Sequence, residues 1–374
     1  MGKSSIHQED EVAPESRGAS LDLDAPLDDA PLDLDAPPHL AVKSLVAGGT
    51  PTAKISARGY FVGIDGGGTK TQAIVMDQSG QVLGEGASGA SNPLRVGIDQ
   101  AIDNVVSAAV QAARDARVRM DQVTSAVAAL AGISHPIHFH AVKQALDRAL
   151  GVKDVELVTD AQAALIGALN GQPGVVIIAG TGSIALGVNR AGEIVRSGGW
   201  GPELSDEGSG YDIARRALRA VAAEFDGRSR STRLSELIFK RLGVETAADL
   251  PGVIYSSNRD PVEIASLAEL VTEAAEAGDE VASGILHAAG TELGHLAVSV
   301  IERLRMAPCA FRIALVGSVF KAGEPLISAL KARVVEVAPN VEFGPPLFPP
   351  TVGAARLAQS LANNKSGNRA DDRL

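Results

Sequence analysis

The chain has 374 residues, of which 45% are hydrophobic, and a mean hydropathy of +0.11, values typical of a soluble globular protein long enough for two domains. A formal net charge of −11 without a basic stripe excludes the usual nucleic-acid-binding and anionic-membrane-binding classes. The single cysteine, Cys309, excludes an internal disulfide framework and a four-cysteine zinc site.

The two ends of the chain are polar. Residues 21–26, 27–31 and 32–37 repeat a Leu-Asp-Ala-Pro pattern that cannot bury a core, so we predict that residues 1–57 form a disordered acidic tail. Residues 363–374 are predicted to be a second disordered tail. The N-terminus lacks a hydrophobic secretion segment and no apolar run is long enough to span a membrane, so we expect a cytoplasmic protein.

A glycine-rich hairpin opens the ordered part of the sequence. Residues 60–77 contain an apolar strand, Asp65, three glycines, a Thr-Lys-Thr and a second apolar strand. Glycines allow close backbone approach and Thr69 and Thr71 offer hydroxyl groups, so this tip suits a phosphate group, although a tight turn without a ligand has the same pattern. Walker A and Rossmann loops are excluded, since the lysine stands one place late and a strand follows the glycines.

The remaining elements alternate and then repeat. We predict a strand at 81–87, a helix at 99–113, a strand at 123–130, a helix at 138–150, a strand at 155–160 and a helix at 161–170. A second hairpin with a glycine and hydroxyl tip follows at 174–188. Helices at 207–225, 235–242, 261–277 and 279–304 precede a strand at 311–319, a helix at 324–337, a strand at 341–343 and a helix at 351–362. The repeat predicts two related mixed sheets with a cleft between them.

Two further stretches carry candidate functional groups. Asp160 follows a strand and precedes a helix, so it is either a plain helix N-cap or a general base at the cleft. Trp200 is the only tryptophan and lies between glycines, which suggests backbone groups exposed to a polyhydroxylated ligand, although a lone tryptophan is more often in a core. Asp206 and Glu207 stand at a predicted helix start, where acidic side chains often only stabilise the positive end of the helix dipole.

Three histidines near a proline resemble a metal site only superficially. His135, His138 and His140 straddle Pro136 and have no nearby Asp or Cys, so we do not predict a metal there.

Six motifs in order resemble a known family. They are residues 63–71, 90–93, 158–160, 179–183, 199–201 with 206–209, and 316–319. Over residues 58–362 the sequence resembles the N-acetylglucosamine kinase branch of the BadF/BadG/BcrA/BcrD ATPase family, within the actin, hexokinase and heat-shock-chaperone superfamily.

The resemblance implies an α/β fold of two actin-like (ribonuclease H-like) domains. Each would hold a mixed five-stranded sheet flanked by helices, with the nucleotide in the cleft between the domains. The N-terminal domain would span residues 58–171, and the C-terminal domain, with a helical insertion, residues 172–350. The final helix, 351–362, would pack back on the N-terminal domain.

The resemblance also implies ATP, Mg²⁺ and an amino sugar as ligands. The acidic charge predicts no nucleic-acid or membrane partner, and we expect a homodimer. Asp160 would be the base for the 6-hydroxyl of the sugar, and Asp65 would hold Mg²⁺ through water. The implied nucleotide-binding residues are Gly66, Gly67, Gly68, Thr69, Lys70, Thr71, Gly180, Thr181, Gly182, Gly317 and Ser318. The implied sugar-binding residues are Asn92, Asp160, Ser183, Ile184, Gly199, Trp200, Gly201 and Asp206.

Alternatives remain open at this point. Ser205 and the Pro93-Leu94 pair depart from the family pattern in the sugar pocket, so N-acetylglucosamine, glucosamine and N-acetylmuramate are all candidate substrates. An ATPase that activates a partner enzyme through a shared iron-sulfur cluster needs two cysteines per subunit, whereas this chain has one. A sugar sensor without catalysis would have lost the base or the phosphate tips, whereas this chain keeps Asp160 and both tips. The zinc-bearing sugar kinases require a cysteine cluster, which this chain with its single cysteine lacks.

Overall fold

The computed structural model describes residues 59–134, 136–256 and 260–371, with side chains as far as residue 364. The acidic segment 1–57, His135 and the last three residues lie outside the described part of the chain. Residues 363–371, which were expected to belong to a disordered tail, continue the last helix in the structure. Extending an existing helix adds one hydrogen bond for each residue fixed, which costs far less than starting a new helix.

The first half of the described chain contains a mixed five-stranded sheet. Its strands are β1 (Tyr60–Gly66), β2 (Thr71–Asp77), β3 (Val82–Ser88), β4 (Val123–Leu130) and β5 (Val155–Thr159). The spatial order is β3-β2-β1-β4-β5. The β1–β2 and β2–β3 pairs are antiparallel, and the β1–β4 and β4–β5 pairs are parallel. The carboxyl ends of β1, β4 and β5 therefore meet at one edge.

The second half repeats this arrangement. Its strands are β6 (Gly174–Ala179), β7 (Ser183–Val188), β8 (Ile194–Gly198), β9 (Phe311–Val316) and β10 (Val341–Gly344). Their order, β8-β7-β6-β9-β10, and their antiparallel and parallel pairings match those of the first sheet. The predicted duplication of a mixed five-stranded sheet is confirmed, although β8 was not among the predicted strands.

Helices connect and cover the two sheets. In chain order they are α1 (Pro93–Val96), α2 (Ile98–Asp115), α3 (Pro136–Ala149), α4 (Asp160–Leu169), α5 (Gly210–Phe225), α6 (Leu234–Leu242), α7 (Leu250–Ile254), α8 (Pro261–Ala265), α9 (Ala268–Glu276), α10 (Glu280–Arg303), α11 (Glu324–Val335) and α12 (Pro350–Asp371). The single helix predicted over 261–277 is divided into α8 and α9. The chain tightens between them, where Leu267 N bonds to Ile264 O and Leu270 N to Leu267 O.

Helix α4 lies between the two halves and is buried from residue 161 to 169. Ala163 and Ile166 pack with residues of the first sheet and of α12. Leu165 and Leu169 pack with residues of the second sheet. A helix that is apolar all round must be covered on every side, and both sheets together cover this one.

Helices α4 and α12 cross with their backbones in contact. A Cβ atom at Gly353 would lie 2.1 Å from the Ala163 carbonyl oxygen and 2.6 Å from the Gly167 amide nitrogen. A Cβ atom at Gly63 of β1 would likewise lie 2.1 Å from the Thr351 carbonyl oxygen. Glycine at these positions lets α12 approach both α4 and the first sheet.

Among the described residues, α10 is long and apolar enough to cross a membrane by length and composition, with a mean hydropathy of 1.2 over its most apolar stretch. A core helix meets the same criteria, and 56% of this stretch is buried inside the protein. Leu293, Ala297 and Ile301 of α10 belong to the apolar core of the second half. We therefore interpret α10 as a core helix.

The close contact between α4 and α12 predicts that a glycine-to-alanine substitution changes the free energy of unfolding in opposite directions at two helical glycines. Gly353→Ala should lower the free energy of unfolding by about 1 to 3 kcal/mol, because the added methyl group meets backbone atoms that must move. Gly284→Ala in α10, where nothing lies within 4 Å of the added carbon, should instead raise it by about 0.4 to 1 kcal/mol. Urea unfolding of both variants measures the two values, and equal effects would contradict the proposed crossing.

Candidate active site

The first glycine tip, between β1 and β2, is held on both sides. Gly67 N donates a hydrogen bond to Lys70 O at 3.0 Å, which closes the turn. Gly67 O accepts hydrogen bonds from Ser91 N at 3.0 Å and Asn92 N at 3.1 Å. Thr69 and Lys70 at the end of the tip are exposed, so the loop presents a hydroxyl group and an ammonium group on a fixed backbone.

Thr71 differs from the expectation that it faces a nucleotide. Its side chain is fully buried, and its hydroxyl group donates to Gly89 O at 2.6 Å and lies 2.8 Å from Ser91 Oγ. Thr71 thus ties the base of the tip to the segment after β3 and has no surface left for a ligand.

The second tip lies between β6 and β7. Gly180 N donates to Gly182 O at 2.9 Å, and Gly180 O accepts from Gly210 N, at the start of α5, at 2.8 Å. Thr181 between them is exposed. Because β6 and β9 are neighbouring parallel strands, Gly317 at the end of β9 reaches the same edge. A Cβ atom at Gly317 would lie 2.1 Å from Ala179 O, and the adjacent Ser318 is exposed.

Asp65 and Asp160 bring two carboxylates to the edge of the first sheet. Asp65 is the sixth of the seven residues of β1, and Asp160 is the first residue of α4, directly after β5. The N-cap of α4 is Thr159, whose hydroxyl group accepts from Gln162 N at 3.3 Å while Gln162 Oε1 accepts from Thr159 N at 2.9 Å. Asp160 is thus not the N-cap, and its Oδ1 accepts from its neighbour Ala161 N at 2.8 Å.

Both carboxyl groups are poorly solvated. Burial is the largest cause that raises the pKa of Asp65 to about 6; the nearby Asp160 acts in the same direction, and Lys70 opposes both effects. Burial also raises the pKa of Asp160, against the hydrogen bond from Ala161 N. The residue Asp160 as a whole is exposed, but many protein atoms surround its carboxyl group, which is why its pKa is raised.

This pair of carboxylates fits a hard cation. Among the described residues, no group of three or more His, Cys, Asp or Glu side chains is arranged to hold a metal ion. Asp160 raises the pKa of Asp65, and a divalent cation would relieve the repulsion between the two carboxylates. Mg²⁺ needs only one or two carboxylates because it retains water ligands. Asp65 is the residue that we expect to face it.

A second cluster joins the tip of β7 to the loop after β8. Asp206 is buried with a left-handed backbone (φ 67°), and its Oδ1 accepts from Ser183 N at 3.3 Å. Ser183 Oγ donates to Glu207 O at 2.8 Å, and Gly199 N donates to Ser183 O at 2.9 Å. Burial raises the pKa of Asp206, the bond from Ser183 N lowers it and Glu207 raises it.

Trp200 projects from this second cluster. Its flanking residues, Gly199 and Gly201, have φ values of 71° and 92°, and 62% of its surface is exposed. Ile184 packs against Gly199. The guanidinium carbon of Arg196 lies 4.3 Å from the centre of the indole ring, a contact that the sequence did not indicate.

Asn92 belongs to the first half and directly precedes α1. Its Oδ1 accepts from Leu94 N at 3.0 Å and thereby caps α1, and a Cβ atom at Gly132 would lie 2.2 Å from the same oxygen. A cavity of about 380 Å³ adjoins it, lined by Leu94, Gly132, Ser134 and His138.

Arg95 links the first tip to the second half. Its Nη1 donates to Gly68 O at 3.1 Å, and its Nη2 pairs with Asp260, which caps α8 by accepting from Val262 N at 2.9 Å. No local pattern predicts this pair, because its members are 165 residues apart.

A sequence model of the BadF/BadG/BcrA/BcrD ATPase family matches residues 62–358. The chain belongs to this family. It is 34% identical over 309 residues to an N-acetyl-D-glucosamine kinase of Dictyostelium discoideum, covering 80% of this chain and 97% of that protein. It is 34% identical over 248 residues to an N-acetylmuramic acid/N-acetylglucosamine kinase of Clostridium acetobutylicum, covering 66% and 81% respectively.

The fold has a counterpart among solved structures. A candidate N-acetylglucosamine kinase from Chromobacterium violaceum superposes with a TM-score of 0.65 at 26% identity, covering 80% of this chain and 98% of that one. The resemblance and the actin-like fold class inferred from the sequence are thereby confirmed.

The raised pKa of Asp65 predicts how stability depends on pH. Between its usual value of 3.8 and about 6, the folded state binds a proton that the unfolded state has lost, so this group makes stability fall as pH rises. Asp65→Asn removes this penalty, so we expect the variant to exceed the wild type in thermal stability at about pH 7. The difference should shrink toward about pH 4.

Asp77→Asn is the matched control. Slight burial raises the pKa of Asp77, but hydrogen bonds from Ser79 and Gln81 outweigh it and the pKa is lowered. We expect this variant to be less stable than the wild type at about pH 7, whereas Asp65→Asn is expected to be more stable. Parallel melting temperatures for Asp65→Asn and the wild type across this pH range would show that Asp65 is not destabilised by its surroundings.

Proposed function

We propose that this protein is a cytoplasmic, ATP-dependent kinase that phosphorylates the 6-hydroxyl of an amino sugar, with N-acetylglucosamine as the first candidate. The observation that carries this proposal is the poorly solvated Asp160 at the sheet edge that also holds Asp65 and the first glycine tip. The kinase names of the relatives, each matched over most of its length, support the same reaction class.

The two glycine tips would hold the nucleotide. Phosphoryl transfer requires in-line positioning and donors for the phosphate oxygens more than covalent participation by the protein. Backbone amides of residues 66–68 and 180–182 and the exposed Thr69, Lys70 and Thr181 would supply those donors. Gly317 and Ser318, beside the second tip, would lie near the adenosine. Mg²⁺, when bound, would neutralise phosphate charge, and Asp65 would hold it through water.

Asp160 would act as the general base. A carboxylate with a raised pKa is a stronger base than an exposed one. Asp160 would accept the proton of the attacking hydroxyl as that oxygen bonds to the γ-phosphorus of ATP, while the bond from that phosphorus to the bridging oxygen breaks and ADP leaves. The hydrogen bond from Ala161 N fixes one carboxylate oxygen. Closure of the two halves would exclude water as a competing acceptor.

The remaining predicted residues would recognise the sugar. Asp206 is a rigid acceptor because Ser183 N holds it and its backbone is left-handed. Trp200 would cover an apolar face of the pyranose, and Asn92 would approach from the first half. The lining is completed by Ser183, Ile184, Gly199 and Gly201. The homodimer and the absence of nucleic-acid and membrane partners stay predictions.

Substitution of the base gives the first test. Asp160→Asn should lower kcat by about 10² to 10⁴, the usual contribution of general base catalysis, while sugar affinity stays close to that of the wild type. Trp200 is the only tryptophan, so its fluorescence reports sugar binding directly. Asp147→Asn, which removes a carboxylate paired with Lys143 on α3, is the control. Near-normal turnover of Asp160→Asn would exclude Asp160 as the base.

The substrate is tested by ADP release with ATP and Mg²⁺ in the presence of different sugars. We would compare N-acetylglucosamine, glucosamine, N-acetylmuramate, N-acetylmannosamine, glucose and no sugar. Strong stimulation by an amino sugar, with N-acetylglucosamine best, is the expected result. ADP release that ignores every sugar would overturn the kinase proposal and favour an ATPase that activates a partner enzyme.

A further inference from the structure

The indole of Trp200 has little support from its own backbone. Three glycines surround it, and Gly198, Gly199 and Gly201 all have positive φ values, of 76°, 71° and 92°. Such residues carry no side chains that could pack against the ring. With 62% of its surface exposed, the indole needs another group to fix its orientation.

Arg196 supplies that group. Its guanidinium carbon lies 4.3 Å from the ring centre, within the distance at which a cation is attracted to an aromatic face. Arg196 is itself anchored, because its carbonyl oxygen accepts a hydrogen bond from Arg303 Nη1 at 2.7 Å. Arg303 is the last residue of α10, the core helix of the second half, so the contact connects the indole to a rigid part of the fold.

We propose that Arg196 is a positioning residue that holds the Trp200 indole as a platform for the sugar. The guanidinium covers one face of the ring, which leaves the opposite face for an apolar face of a pyranose. The role rests on the proposed function, since it assumes that a sugar binds here. Arg196 touches neither the reacting hydroxyl nor the nucleotide tips, so it should affect sugar binding and not the chemical step.

The test uses the full chain and its single tryptophan. Arg196→Met keeps the length of the side chain and removes the cation. We expect acrylamide quenching of Trp200 fluorescence to increase and the KM for N-acetylglucosamine to rise about two- to fivefold, as expected for loss of an exposed cation–π contact. The kcat should stay within about twofold of the wild type. Arg196→Lys should restore part of the affinity and of the protection from acrylamide.

Arg190→Met is the matched control, because Arg190 is exposed in the turn between β7 and β8 and should leave both readouts unchanged. The proposal would be overturned if Arg196→Met had the same acrylamide quenching and the same KM as the wild type. A fall in kcat without a change in KM would also overturn it. If no sugar stimulates the wild type, the kinase proposal fails. Unchanged quenching in Arg196→Met would, separately, refute the contact between Arg196 and the indole.

Discussion

The burial of α4 between the two sheets is the constraint on which the rest of the structure depends. One short helix is shared by two apolar cores, so neither half is complete without it. The same helix begins at Asp160, which places the proposed base where the two halves meet. A change in the angle between the halves must therefore occur around the residue on which the chemistry would depend.

The two acidic residues of the cleft owe their properties to this architecture. Parallel strands β1, β4 and β5 end at one edge, so Asp65 and the start of α4 are brought together without any direct bond between them. The poor solvation of Asp65, and to a lesser extent its repulsion by Asp160, cost stability in the free protein. Functional sites commonly carry such a cost, because the groups are arranged for a ligand that compensates it.

The sequence predicted the elements that depend on local patterns. Alternating apolar residues and glycine tips were sufficient for β1, β2, β6 and β7, whereas β8 is short and partly exposed and gives little periodicity. Thr159 and Gln162 form a capping box that the sequence does contain, so the N-cap of α4 could have been assigned before the structure.

Other features of the site depend on residues that are distant in sequence. The burial of Thr71 follows from the position of the segment that contains Gly89 and Ser91. The pair of Arg95 and Asp260 joins opposite halves. Local periodicity contains no information about either contact, and only the folded chain brings their partners together.

The position of α12 also has a consequence for the order in which the protein can fold during synthesis. This helix follows the other described elements in the sequence, yet it covers the sheet that contains β1, with Ala354 and Leu357 among the buried partners of Phe61. Domains generally fold as units as they leave the ribosome, starting from the N-terminus. Here the first sheet must wait, with one apolar face uncovered, until the residues of α12 have emerged.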